Sequence, residues 1–174
     1  ANRNLLDEGT LYVARFDADG SGHWLALVHG QNGLTSSGGF ASQAEVLLNA
    51  RAAADLVGAT PMDRPEWAAV HPASREVYVA LTNNDGRGDK QPTDKANPRP
   101  QNLHGQILRF KEQGADPSAE TFTWELFLLA GEQKGAKDAN GNMAPANLTG
   151  TINGDIFSSP DGLAFDSHGR LWIQ

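Results

Sequence analysis

The sequence predicts an all-β chain, and more specifically part of a β-propeller with one short inserted helix. Turn-forming residues are frequent, with 19 Gly and 9 Pro among 174 residues, and the apolar segments are mostly short enough to be strands. Two unrelated motif pairs also recur at nearly one spacing: Pro65 and Pro160 are 95 positions apart, and Phe16 and Phe110 are 94 apart. A recurring set of strands is typical of propeller blades, which have four strands each.

The repeats divide the 174 residues into parts of a single propeller fragment. We expect an incomplete blade over about residues 9–30, a helix-bearing insertion over about 31–61, a complete blade over about 62–131 and the start of another blade over about 156–174. The predicted strands lie in Leu11–Phe16, His23–Val28, the hairpin Pro65–Leu81, Gln106–Phe110, Thr123–Leu129 and the hairpin Pro160–Gln174. Because a propeller closes with about 4–8 blades, we expect a fragment with unpaired strand edges, which favour self-association.

The inserted helix is predicted over Ser42–Val57. Ser42 is a suitable N-cap, and Glu45 follows three residues later, as in a capping box. Gly58 is expected to end the helix.

Composition excludes several function classes. The formal net charge of −7 disfavours a nucleic-acid-binding role, which needs a basic face. No apolar run approaches the roughly 20 residues that cross a bilayer, so a membrane span is not expected. The absence of Cys excludes thiolate metal sites and thiol nucleophiles within this stretch.

Four loops carry clusters of hard oxygen donors, and two of them, Asp138–Asn142 and Asn153–Asp155, are expected to be turns. Asp17–Gly22 begins like a calcium loop, but Val28 stands where a bidentate Glu would close it, so a hairpin turn is expected. Asn83–Asp89 follows a predicted strand and offers carboxylates and carboxamides on a glycine-rich loop. A solvated loop is the favoured interpretation there, and a Ca²⁺ site is the alternative.

The motif Arg64-Pro65-Glu66 starts a predicted strand. Pro65 favours an extended Arg64, and residues two apart on an extended segment project to the same face. An Arg there offers a planar fork for phosphate, and Glu66 a ligand for a hard cation. Spacing alone favours a surface ion pair between Arg64 and Glu66. Phosphate binding by Arg64 together with metal ligation by Glu66 is the alternative.

Four ordered motifs resemble the PhoX-type alkaline phosphatases over most of the chain: Asp63–Trp67, Tyr78–Asn84, Asn97–Asn102 with Gly105–Arg109, and Ser159–Leu163. The resemblance implies a β-propeller and hydrolysis of phosphomonoesters by a cluster of Ca²⁺ and Fe³⁺. It also implies twin-arginine export in a bacterium, hence a periplasmic or extracellular location. It assigns phosphate contact to Arg64 and metal ligation to Glu66. Asp161 is the second metal-ligand candidate, because it has the repeat position of Glu66.

Departures from the family pattern limit this assignment. The family's iron site includes a Cys and further acids from earlier blades, and this chain has no Cys. We therefore expect the remaining blades of the parent protein as partners, an incomplete metal site, and no activity for the fragment by itself. Two alternatives stay open, a non-catalytic calcium-stabilised propeller segment and a lactonase-like propeller hydrolase. Arg64 favours phosphate over a neutral lactone, which needs no cationic group.

Overall fold

The computed structural model describes residues 8–174, which divide into two compact units. One unit comprises residues 8–16 and 22–61, and the other comprises residues 17–21 and 62–174. Strands dominate the regular structure and the α-helices are short, so the expected mostly-β class is confirmed. No helix within the described residues combines the length and the apolar character that crossing a membrane requires.

The first unit combines a β-hairpin with two helices. Strands β1 (Tyr12–Phe16) and β2 (Ser21–Ala26) pair antiparallel, as the predicted hairpin turn between them requires. Helices α1 (Gln43–Leu48) and α2 (Ala50–Val57) lie in the segment expected to be an insertion. The buried apolar residues of this unit form one cluster: Leu27, Leu34, Phe40, Val46 and Ala53.

The helical segment is interrupted, so the prediction of one continuous helix was wrong. Asn49 has φ −111° and ψ 38° and lies between α1 and α2. Its side-chain amide donates to the Glu45 carbonyl at 3.0 Å, and this local bond competes with continuation of the helix. The predicted ends are correct: the Ser42 hydroxyl accepts from the Glu45 N–H at 3.3 Å, and Gly58 ends α2 with φ 82°.

Residues 17–21 form the expected turn. The Asp17 N–H donates to the Ser21 carbonyl at 2.9 Å, and Gly20 has φ 91°, which glycine adopts readily. The Asp19 carboxylate accepts from the hydroxyl and the N–H of Ser21 at 2.6 and 2.9 Å, and these bonds lower the pKa of Asp19. The Asp19 carboxylate therefore bonds within the turn itself.

The second unit contains a four-stranded antiparallel sheet whose strands pair in chain order. These are β3 (Pro65–Val70), β4 (Val77–Leu81), β5 (Gln106–Glu112) and β6 (Thr121–Leu129). Four strands in this order are what the predicted complete blade requires. The number of blades, and the closure of a propeller, stay predictions.

Strands β7 (Leu163–Phe165) and β8 (Leu171–Ile173) form a second hairpin, and β7 contacts both β3 and β4. Its pairing corresponds to that of the β3–β4 hairpin after a turn that is one residue shorter: Val70 pairs with Val77 in one, and Phe165 with Leu171 in the other. The sequence repeat is therefore also a repeat of strand register. Leu163 joins the buried cluster of this unit with Tyr78, Ala80 and Ile107.

Candidate functional site

Arg64 lies immediately before β3 in an unusual backbone conformation. Its φ is 51°, in the left-handed region, so the expectation of an extended Arg64 was wrong. A tertiary hydrogen bond holds it there, because the Thr82 N–H donates to the Arg64 carbonyl at 3.1 Å. Such a conformation costs about 1–3 kcal/mol for a residue other than glycine and persists only where the surroundings enforce it.

The side chains of Arg64 and Glu66 do meet, as the sequence predicted. Arg64 Nε donates to Glu66 Oε1 at 3.1 Å, with 62% of the Arg64 and 36% of the Glu66 side chain exposed. An ion pair this open contributes about 0–1 kcal/mol to stability. The bond engages Nε, and a guanidinium has four further N–H groups with which to bind an anion.

Asp161 lies four residues before Phe165, the last residue of β7, as Glu66 lies four residues before Val70, the last residue of β3. Each follows a proline, and each proline follows a left-handed residue, Arg64 with φ 51° or Ser159 with φ 55°. The Asp161 N–H donates to the Gln174 carbonyl at 2.8 Å, while its side chain is exposed. Asp161 and Glu66 therefore both present carboxylates at the starts of equivalent strands.

Thr82 joins the starts of β3 and β7. It follows β4 directly and is 7% exposed. Its N–H donates to the Arg64 carbonyl, and its hydroxyl donates to the Pro160 carbonyl at 2.9 Å. One buried residue thus bonds to the backbone of both segments that carry the candidate side chains. Sequence analysis missed this role, although Thr82 lies in one of the motifs that carry the family resemblance.

Asp63, the residue before Arg64, is the centre of a buried polar network. It is fully buried, and its Oδ1 accepts from Arg87 Nε at 2.7 Å and Asn84 Nδ2 at 2.9 Å. Its Oδ2 accepts from Asn102 Nδ2 at 2.9 Å, and its N–H donates to Asn97 Oδ1 at 2.9 Å. Arg87 is 1% exposed, so the ion pair lies entirely inside the unit.

The Asn83–Asp89 loop serves this network. Asn84 and Arg87 turn inward to Asp63, and Asn84 Oδ1 accepts from the Gly86 N–H at 3.0 Å. Within residues 8–174 no group of three or more His, Cys, Asp or Glu side chains is placed to hold a metal ion. The expectation of a solvated loop was wrong in part, because Arg87 is buried and the loop turns polar side chains inward to Asp63.

Arg99 is a second buried cation in this part of the unit, 4% exposed. Its guanidinium donates to the carbonyls of Gly105 and, at 2.6 Å, Ala130. Burial lowers the pKa of Arg99, because desolvation penalises the charged form. These bonds fasten the Asn97–Asn102 motif to the first residue after β6 and to the glycine before β5.

The motifs quoted above thus converge in one unit around Arg64, and comparison with known proteins identifies them. The family model described as "Alkaline phosphatase PhoX" matches residues 1–174. The chain belongs to the PhoX family. Among solved structures, Pseudomonas fluorescens PhoX, described as a complex with vanadate, a transition state analogue, matches with a TM-score of 0.89 and 50% sequence identity. The match covers 99% of this chain and 30% of that PhoX chain. A search of curated proteins found no match.

This PhoX chain therefore spans about a third of the solved relative. Its Arg64, Glu66 and Asp161 lie at the starts of neighbouring, equivalent strands.

Proposed function

We propose that this chain contributes Arg64, Glu66 and Asp161 to the active site of a secreted, metal-dependent alkaline phosphatase that hydrolyses phosphomonoesters. The supporting observation is the likeness of nearly the whole chain to a PhoX described as a complex with vanadate, a transition state analogue. The sequence resemblance adds twin-arginine export and a periplasmic or extracellular location. Because the chain spans 30% of that relative, the remainder of the parent protein must complete the site.

Arg64 is the proposed phosphate contact. Phosphoryl transfer spreads negative charge over the equatorial oxygens, and a guanidinium fork can bind two of them at once. Glu66 accepts a hydrogen bond from Arg64 Nε, and the Thr82 N–H holds the Arg64 backbone through its carbonyl. These contacts favour one orientation of the cation before substrate binds, and electrostatic stabilisation depends on such preorganisation.

Glu66 and Asp161 are the proposed metal ligands. Their donors are carboxylate oxygens, which suit hard cations such as Ca²⁺ and Fe³⁺, and both are accessible at their strand starts. Two carboxylates are too few for a cation that takes about 6–8 oxygens, so these residues fit a shared site that other parts of the parent complete. Bound metal ions would supply Lewis-acid stabilisation of the phosphoryl oxygens.

The family match favours this function over the two alternatives. A lactonase-like hydrolase acts on a neutral ring and has no need of Arg64. A calcium-stabilised, non-catalytic segment would keep Glu66 and Asp161 but would show no dependence of turnover on Arg64.

The test uses the full-length PhoX protein that carries these residues, assayed for phosphomonoester hydrolysis and metal content. Arg64→Ala should lower turnover by about 10²–10³-fold, by analogy with the loss of one preorganised donor. Arg64→Lys should recover little, because an ammonium is a point charge without the fork. Glu66→Gln and Asp161→Asn should lower bound metal together with activity.

The matched control is Arg170→Ala. Arg170 also forms an open ion pair, with its Nε 2.6 Å from Asp166 Oδ2 and 69% of its side chain exposed, on the β7–β8 turn. It should leave turnover unchanged. Near-normal turnover in Arg64→Ala would return Arg64 and Glu66 to the surface-ion-pair interpretation.

A further inference from the structure

Three polar side chains close to Asp161 form a hydrogen-bonded row that the proposed function does not use. His104 Nδ1 lies 2.9 Å from Ser158 Oγ, and Ser158 Oγ lies 3.4 Å from Ser159 Oγ. Ser158 is exposed, and His104 and Ser159 are half-buried. The hydroxyls therefore remain open to a ligand.

Other hydrogen bonds already join the two segments that carry this row. The Ser159 N–H already donates to the His104 carbonyl at 2.8 Å, and Thr82 holds the next residue, Pro160, through its carbonyl. The His104 ring also packs against Gly131, where an added Cβ would lie 3.1 Å from its Cδ2. The ring therefore has Gly131 on one side and bonds through Nδ1 to the Ser158 hydroxyl.

The repeat places Ser159 at the counterpart of Arg64. Both residues precede a proline, both have left-handed φ values of 55° and 51°, and both lie two positions before a candidate metal ligand. Because the two backbones have the same left-handed conformation, the Ser159 side chain begins in the same direction relative to β7 as the Arg64 side chain does relative to β3.

We propose that the hydroxyls of Ser158 and Ser159, oriented by His104, donate hydrogen bonds to a phosphoryl oxygen of the phosphomonoester that Arg64 binds. The inference rests on the proposed phosphatase function. When His104 Nδ1 carries a hydrogen, its N–H donates a hydrogen bond to Ser158 Oγ. The Ser158 hydroxyl hydrogen then points away from the ring, toward Ser159 or the substrate. His104 is then a positioning residue, and the serines contact the substrate. No proton is transferred.

The experiment measures two constants in the full-length protein: kcat/KM for a phosphomonoester and the inhibition constant of inorganic phosphate. Ser158→Ala and Ser159→Ala should each lower kcat/KM and raise the phosphate inhibition constant by about 10–100-fold, the range for a hydrogen bond to a charged group. Ser158→Thr, which keeps the hydroxyl, should restore most of both. His104→Leu should match Ser158→Ala, whereas His104→Asn, with an amide donor near the Nδ1 position, should recover part of the loss.

The chain offers a matched control in a second Ser–His pair on the β7–β8 turn, Ser167 Oγ and His168 Nδ1 at 3.4 Å. Ser167→Ala and His168→Leu should change neither constant. Serine variants within twofold of an active wild type would overturn this inference alone. A loss that Ser158→Thr does not restore, or that comes with reduced metal content, would show a structural role and overturn it too. A wild-type protein without phosphomonoesterase activity would refute the proposed function and this inference together.

Discussion

Replacing Arg87 by Met tests how much the buried polar network around Asp63, the residue next to Arg64, contributes to stability. Arg87 is 1% exposed, and its Nε bonds to the fully buried Asp63 at 2.7 Å. Met keeps much of the volume but removes the cation. The Asp63 carboxylate would then remain buried with only the amide donors of Asn84 and Asn102, each at 2.9 Å.

The structure sets the expected magnitude. Removing one partner of a buried ion pair costs about 3–5 kcal/mol, because the other charge stays buried. Arg87 Nη1 also donates to the Pro92 carbonyl at 2.8 Å, and that bond is lost as well. The two amides offset part of the cost, so we expect a loss of about 3–4 kcal/mol. Arg87→Met with Asp63→Asn removes both charges and should be less destabilised than Arg87→Met alone.

The assay is denaturant unfolding of the full-length protein, combined with native-state hydrogen exchange of the amides in residues 84–102. Exchange reports the local opening free energy even where unfolding of a large protein is not two-state. Arg170→Met, which opens an exposed ion pair, should cost less than about 1 kcal/mol. Two results would refute the reasoning. One is a loss below about 1 kcal/mol of unfolding free energy in Arg87→Met; the other is a double variant whose loss equals the sum of the losses in Arg87→Met and Asp63→Asn.

Two further outcomes follow from the same region. Gly105→Ala should lower the free energy of unfolding by more than about 1 kcal/mol, because its φ is 74° and a Cβ would overlap the Thr82 carbonyl. Gly114→Ala is the control: its φ is 68°, but a Cβ there would meet nothing within 4 Å, so its loss measures the backbone strain without the clash. The isolated 174-residue chain should bind Ca²⁺ or Fe³⁺ weakly in calorimetry, because Glu66 and Asp161 leave most of about 6–8 positions unfilled. Sub-micromolar binding would contradict this.

The strands could be predicted because their information is local. Short apolar runs between turn signals place all eight strands near their observed bounds, and the sequence repeat anticipates that the β3–β4 and β7–β8 hairpins pair alike. Capping chemistry likewise gives both outer ends of the helical segment. The interruption at Asn49 was missed, because a single Asn inside a helical pattern does not show whether its side chain will bond to the preceding turn.

The surroundings of the site could not be predicted in this way. Asp63, Arg87 and Asn102 belong to polar stretches that resemble solvated loops, yet they are buried because they satisfy one another across 24 and 39 positions of sequence. Polar pairing at such separations leaves no periodicity to detect. The conformation of Arg64 was missed for a related reason: the local preference imposed by Pro65 is overridden by the bond from Thr82, which is distant in sequence.

The paired left-handed residues Arg64 and Ser159 have a consequence for engineering. Glycine would relieve about 1–2 kcal/mol of backbone strain at either position, offset in part by the greater freedom of an unfolded glycine. The chain instead has Arg64 and Ser159 at these positions, so it is less stable at the two residues that are proposed to contact the phosphate. Selection for heat resistance alone would tend to accept glycine at both positions and erase function without disturbing the fold. Thermostable variants of this chain should therefore be screened on turnover at every round.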